Sequence, residues 1–191
     1  TATPSYVEGP DVTSLVQNLV SRNDWCGNNA MSFHITPQAG NTSTRVAYSI
    51  DGAGGLQPVL NISYSGGSSG CLNPIIELRV NAEKDDAYQS SGGTVSVAGN
   101  TLALSRAMIG ARFEQVRVKR GANVLDAELI VTPSNTVATP GQTSTIGIEN
   151  ADSSAGFVSE SNNLSSRSRI SGGTCSYASW TAGQPVSCTS A

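Results

Sequence analysis

Leu15, Val16, Leu19 and Val20 fall on one face of a helix, at i, i+1, i+4 and i+5. Asp11 stands ahead of them as a cap and Asn23-Asp24 behind, so the pattern predicts one helix over 11–23. Elsewhere the period is two. Met31, Phe33 and Ile35 alternate with Ser32, His34 and Thr36, and further strands are expected over 45–50 and 59–64. The DGAGG run at 51–55 separates those two. SGGSSG at 65–70 then interrupts the chain as a flexible join. Short β-rich runs follow at 75–80, 94–97, 102–104, 111–118, 127–131 and 145–148, with Ala122 leading from a turn into a strand. This spacing is that of a two-layer all-β domain.

Composition narrows the picture. The chain has 191 residues, enough for one sizeable core, and 13% of them are charged with a formal net charge of −3. The eleven Lys and Arg residues are scattered in sequence, so neither nucleic acid nor an anionic membrane is an expected partner. No run approaches the length of a membrane span. Four cysteines, Cys26, Cys71, Cys175 and Cys188, lie outside any CxxC spacing and suit two disulfides in an oxidising compartment. Four cysteines allow three connectivities. Local pairing of Cys175 with Cys188, and of Cys26 with Cys71, is the expected one. The start at Thr1, without a signal peptide, is expected of a processed product or a section of something longer.

Several segments carry a family likeness. PDVTSLVQNLV, then Trp25 and the AMSF strand, then TRVAYSIDG and PVLNISY, resemble the closing half of a domain found in type IV pilus-associated PilY-type adhesins and in DNRLRE-type surface domains. RVNAEKDDA, ARFEQVRVKRGANVLDAELIVTP, IGIENAD and SSRSRISGGTCSYASW resemble the opening half of the same domain. The resemblance implies a jelly-roll-like β-sandwich with one short helix, on the bacterial cell surface, serving as spacer, adhesion module or carbohydrate-binding-like module. The order is reversed: residues 1–64 are the closing half, 65–74 a Gly/Ser linker and 75–191 the opening half. Three arrangements satisfy that order. The chain is one period of a tandem-repeat fibre, or a subunit completing its neighbour's sandwich head to tail, or a circular permutant that closes on itself.

The first two arrangements make a filament, and they define the expected function: a structural repeating unit of an extracellular filament or adhesin, with itself as partner in a homopolymer or tandem array. Its assembly surfaces would include Phe33, Ile35, Leu60, Ile62, Leu129 and Val131. The alternative is a monomeric module binding a glycan or host-surface ligand, or calcium. Glu83, Asp85, Asp86, Glu149 and Asp152 are the candidate oxygen ligands for calcium, a hard cation wanting six to eight oxygens. No DxDxDG loop supports them. No catalytic residue is singled out. His34 lacks a nucleophile elbow nearby in sequence, DGAGG is a turn lacking the residues of a phosphate loop, and Trp25 and Trp180 are expected to pack rather than to stack on sugars.

Overall fold

The computed structural model describes residues 11–22, 25, 29–38, 46–52, 55–65, 75–104, 107–137, 142–177, 180–184 and 189–190. Helix α1, Thr13–Val20, buries Leu15, Val16, Leu19 and Val20 as the periodicity requires. The Asp11 carboxylate accepts from Thr13 N–H at 2.8 Å, and the helix closes at Ser21, shorter than the expected 11–23. Burying each of those side chains contributes roughly 1.5–3 kcal/mol.

Twelve strands are described: β1 Asn29–Pro37, β2 Val46–Tyr48, β3 Val59–Ser65, β4 Ile75–Arg79, β5 Asp86–Ser90, β6 Val95–Ser96, β7 Thr101–Ala103, β8 Ala107–Val116, β9 Asn123–Ile130, β10 Gln142–Glu149, β11 Arg169–Tyr177 and β12 Thr189–Ser190. A seven-stranded antiparallel sheet has the order β12-β11-β10-β1-β8-β5-β6. It faces a three-stranded sheet, β4-β3-β9. The pair β2-β7 joins the second layer through Tyr48 N–H to Thr132 O and Ser134 N–H to Val46 O. The architecture is the expected all-β, sandwich-like one with a short helix.

Residues 11–65 and 75–190 pair with each other within the chain. β1 lies between β8 and β10, with Phe33 opposite both Ala111 and Ile148. β3 lies between β4 and β9, with Ile62 opposite Ile76 and Ala127. The halves share sheets and one core, so the strands that neighbour completion would need are already paired. β3 and β4 are adjacent antiparallel strands, so Ser65 and Ile75 stand at the same end of the sandwich.

Phe33 and Phe113 meet edge to face at 6.0 Å inside that core, and Ile35, Leu60, Ile62, Leu129 and Val131 are buried with them. The six side chains expected to form assembly surfaces therefore belong to the chain's own interior. Trp25 plugs one end and donates its indole N–H to Val118 O at 2.8 Å. Trp180 is buried too and donates to Asn135 Oδ1 at 3.1 Å. The outer edge of β9 is covered by the segment leading into α1. Val12 donates to Ala127 O at 2.6 Å, and Thr13 Oγ1 accepts from Ala127 N–H. Covering an edge in this way blocks its pairing with another chain.

The antiparallel register defines two poles. One holds Trp25, Ser65 and Ile75 at the ends of β3 and β4, the turn from Val116 to Asn123 and the passage from Glu149 to Arg169. Asp11, opposite Glu128, and Ser190, opposite Cys175, both lie toward the other pole.

Candidate functional site

Residues 150–168 form a strap between β10 and β11 with no strand of its own, closed at its neck by Asn150 N–H to Ser168 O at 2.8 Å. Long ordered loops of this kind are uncommon in compact domains and are frequently functional. The strap lies on the outer face of the seven-stranded sheet. Two apolar side chains in its polar sequence, Phe157 and Leu164, are buried there with Ala87 and Val95 in a second small core. Gly110 of β8 makes the slot for the Phe157 ring.

Polar anchors hold the rest of the strap. Arg112 Nε donates to Ser154 O at 2.8 Å. Phe157 N–H donates to Lys84 O at 2.7 Å. The Gln89 carboxamide oxygen accepts from Leu164 and Ser165 N–H at 3.0 Å each. Arg167 is the main clamp. It pairs with Glu149 Oε2 at 3.0 Å, donates to the carbonyls of Ala155, Gly156 and Asn163, and lies 4.6 Å above the Phe157 ring.

Ser32 and His34 lie beneath, fully buried. Alternation turns them away from the main core, as the sequence requires, yet the strap removes them from solvent. Ser32 Oγ donates to Glu149 Oε2 at 2.8 Å and lies 3.3 Å from His34 Nε2. His34 Nδ1 meets no partner among the described residues. Burial, aided by the charges of Arg169 and Arg167, pushes the imidazole down to a pKa of about 3.

The residue types Ser, His and Glu are those of a hydrolytic triad, but the connections differ. A triad needs the acid on His Nδ1 and the serine hydroxyl donating to Nε2. Here the acid accepts from the serine itself, and the strap bars access. The group works as a cross-brace between β1, β10 and the strap.

The calcium-ligand set is not brought together. Asp85 is buried against Arg112, which also pairs with Glu114 at 2.6 Å. Asp86 Oδ2 accepts from Ile50 N–H at 2.8 Å, and burial, with the charges of Asp51 and Asp85, raises its pKa to about 7 against that hydrogen bond. Glu149 is held by Arg167, and Asp152 pairs with Arg22 at 2.7 Å. Glu83 is exposed on a 3-10 turn, Glu83–Asp85. Among the described residues, no three Asp, Glu, His or Cys side chains group as a metal would require. Each buried or half-buried acid instead has an arginine or an amide, which offsets the cost of its burial.

Of the expected disulfide residues, Cys26, Cys71 and Cys188 lie outside the described residues. Cys175 is placed by its backbone alone, opposite Ser144 and Ser190. No described helix is long and apolar enough to cross a membrane. The strap and its clamps were missed in the sequence. Their signal was two isolated apolar residues and Arg167 inside a Ser/Asn run. No family model, curated protein or solved structure matches the chain.

Proposed function

We propose that this chain is a self-closed structural or adhesive module of an extracellular bacterial surface protein, with no catalytic role. One observation carries the reading. Two segments that resemble opposite halves of a single surface domain, met in reverse order, fit together in shared sheets, with β1 between β8 and β10 and β3 between β4 and β9. The strapped outer face supports it. Its Ser, His and Glu side chains brace the sheet and present no open nucleophile. In a filament or adhesin built from such units, finished modules would meet by their surfaces or through continuous chain, rather than by exchanging strands.

Light scattering across a dilution series tests this. A single-chain mass at every concentration, with an unchanged melting temperature, is the expected result. High-mass assemblies that separate only when the protein unfolds would restore strand exchange and overturn the module reading. Peptide mapping without reductant adds the compartment: Cys175–Cys188 and Cys26–Cys71 links are expected, and four free thiols would remove the extracellular assignment.

A further inference from the structure

On β1 and β10 the strap's contacts reach Ser32, His34 and Glu149. Beyond them, on the same outer face, the next residues are Thr36 and Thr145, opposite each other, with Thr174 of β11 opposite Thr145. Neighbouring strands stand about 4.8 Å apart, so the three threonines line up across about 10 Å of sheet. All three are half-buried. Gln38 closes the far end of this shelf. Its Nε2 donates to Thr174 Oγ1 at 3.3 Å, and its Oε1 accepts from Thr143 Oγ1 at 2.5 Å. The Thr36 and Thr145 hydroxyls have no partner among the described residues.

Arg169 borders the shelf on the strap side. It stands opposite Glu149, but that carboxylate is taken by Arg167 and Ser32. The Arg169 side chain instead runs across Gly147, where an added methyl group would stand 3.6 Å from its Cβ and 3.7 Å from its Cδ. Its Nη1 donates to Leu164 O at 2.9 Å and lies 3.6 Å from Met108 Sδ. Met108 follows the Ile35–Ile109 pair in register, at the level of Thr36, so the guanidinium is carried toward the threonine row. Its charge also acts on His34, which precedes Thr36 on the same face. Arg22, Arg79, Arg112 and Arg167 each pair with a carboxylate. Arg169 pairs with none among the described residues, and its Nε and Nη2 donate to no group there.

We propose that Arg169 and the threonine shelf bind a carboxylated sugar, a uronic acid unit of a glycan. Two open N–H groups on a planar guanidinium match the two oxygens of a carboxylate. The Thr36 and Thr145 hydroxyls both donate and accept, as ring hydroxyls require. The threonine methyls and the half-buried Met108 offer apolar surface to the ring C–H groups. A nucleic acid or an anionic membrane is held by several cations together, and this shelf has one. The inference deepens the surface-module reading by naming a ligand class. Failure to bind would leave that reading standing, and strand-exchanged assemblies in light scattering would strike the module alone.

The test is a nuclear magnetic resonance titration of the full chain with a short oligoglucuronate. The same oligosaccharide with its carboxyl groups reduced, and sodium acetate, are the comparison arms. Amide shifts at Thr36, Thr145 and Arg169 are expected, with binding about tenfold tighter than in either comparison, the ratio that loss of a hydrogen bond to a charged group implies. Arg169→Gln should weaken binding by about the same factor. T36V/T145V, which keeps the shape of both side chains on their strands, should weaken it severalfold at unchanged melting temperature. That variant covers the case that Arg169→Gln loosens the strap. Arg117→Gln removes the same charge at an exposed site between β8 and β9 and should bind as the natural chain does. No shifts with the oligoglucuronate, equal binding of the reduced sugar or of acetate, or unchanged affinity in T36V/T145V would each overturn the proposal.

Discussion

Gly110 and Phe157 interlock: a methyl group built on the glycine would stand 2.5 Å from the ring's Cζ. The strap can close over the sheet only because β8 lacks a side chain at that point. Gly110→Ala should therefore cost about 1–3 kcal/mol by overpacking, and Phe157→Ala about 3–5 kcal/mol by leaving a void. The double variant should cost less than the sum, because the methyl then occupies space that the ring has left. Thermal melts of the three variants check this, and strict additivity would contradict the interlock.

Arg167 holds the strap through a carboxylate, three carbonyls and the face of Phe157. Arg167→Ala leaves Glu149 half-buried without its cation and should cost roughly 3–5 kcal/mol. Limited proteolysis should then cut within 158–162, where the natural chain resists. Arg167→Lys keeps the charge but not the planar fork, so it should recover only a small part. A resistant Arg167→Ala protein would show that the clamp is dispensable.

His34 and Asp86 make stability respond to pH in opposite directions. The His34 pKa falls from 6.5 to about 3 on folding. Its contribution is present above 6.5 and lost as pH drops toward 3. The Asp86 pKa rises from 3.8 to about 7. Its contribution is present below 3.8 and lost as pH rises through 7. Between these limits the two offset one another and the natural chain should show a shallow profile. His34→Gln should become steadily more stable on acidification. Asp86→Asn, which keeps an acceptor for Ile50 N–H, should gain at about pH 8 and lose stability toward about pH 4, each by on the order of 3 kcal/mol. Chemical unfolding at several pH values reads these slopes, and parallel profiles in all three proteins would contradict them.

Because Asp85, Glu149 and Asp152 pair with arginines and Asp86 with an amide, neither excess chelator nor millimolar calcium should move the melting temperature. A ligand specific to the native state would raise it by mass action. A clear rise with calcium would mean that oxygen ligands assemble elsewhere in the chain.

Helix α1, the central strands β1 and β3 and the packing of both tryptophans were legible because their apolar positions follow one clean period. β5 was not, because its buried residues include Gln89 and Asp86, and Asp86 was taken for a calcium ligand. β11 was also missed. Its ISGGTCS stretch has no apolar alternation, and pairing with β10 makes it a strand. The arginine partners of the acids were hidden for a related reason. Adjacent carboxylates are visible in sequence, whereas Arg112 lies 27 positions from Asp85 and Arg167 lies 18 from Glu149. Only folding shows those pairs. The reversed order of the halves was plain, but order alone did not say whether a strand's neighbour lay in the same chain.

Asp11 and Ser190 lie toward one pole, and Ser65 and Ile75, at the ends of β3 and β4, lie toward the opposite one. Tension applied through the two ends would thus not be borne by the middle of the seven-stranded sheet. It would first peel β12, paired over two residues, from β11, and lift the Asp11–Thr13 segment from the edge of β9. Those contacts open a bond at a time, while β1, gripped on both sides, is loaded last. Under pull the molecule should yield from its margins inward, with the strapped face still folded after the ends have given way.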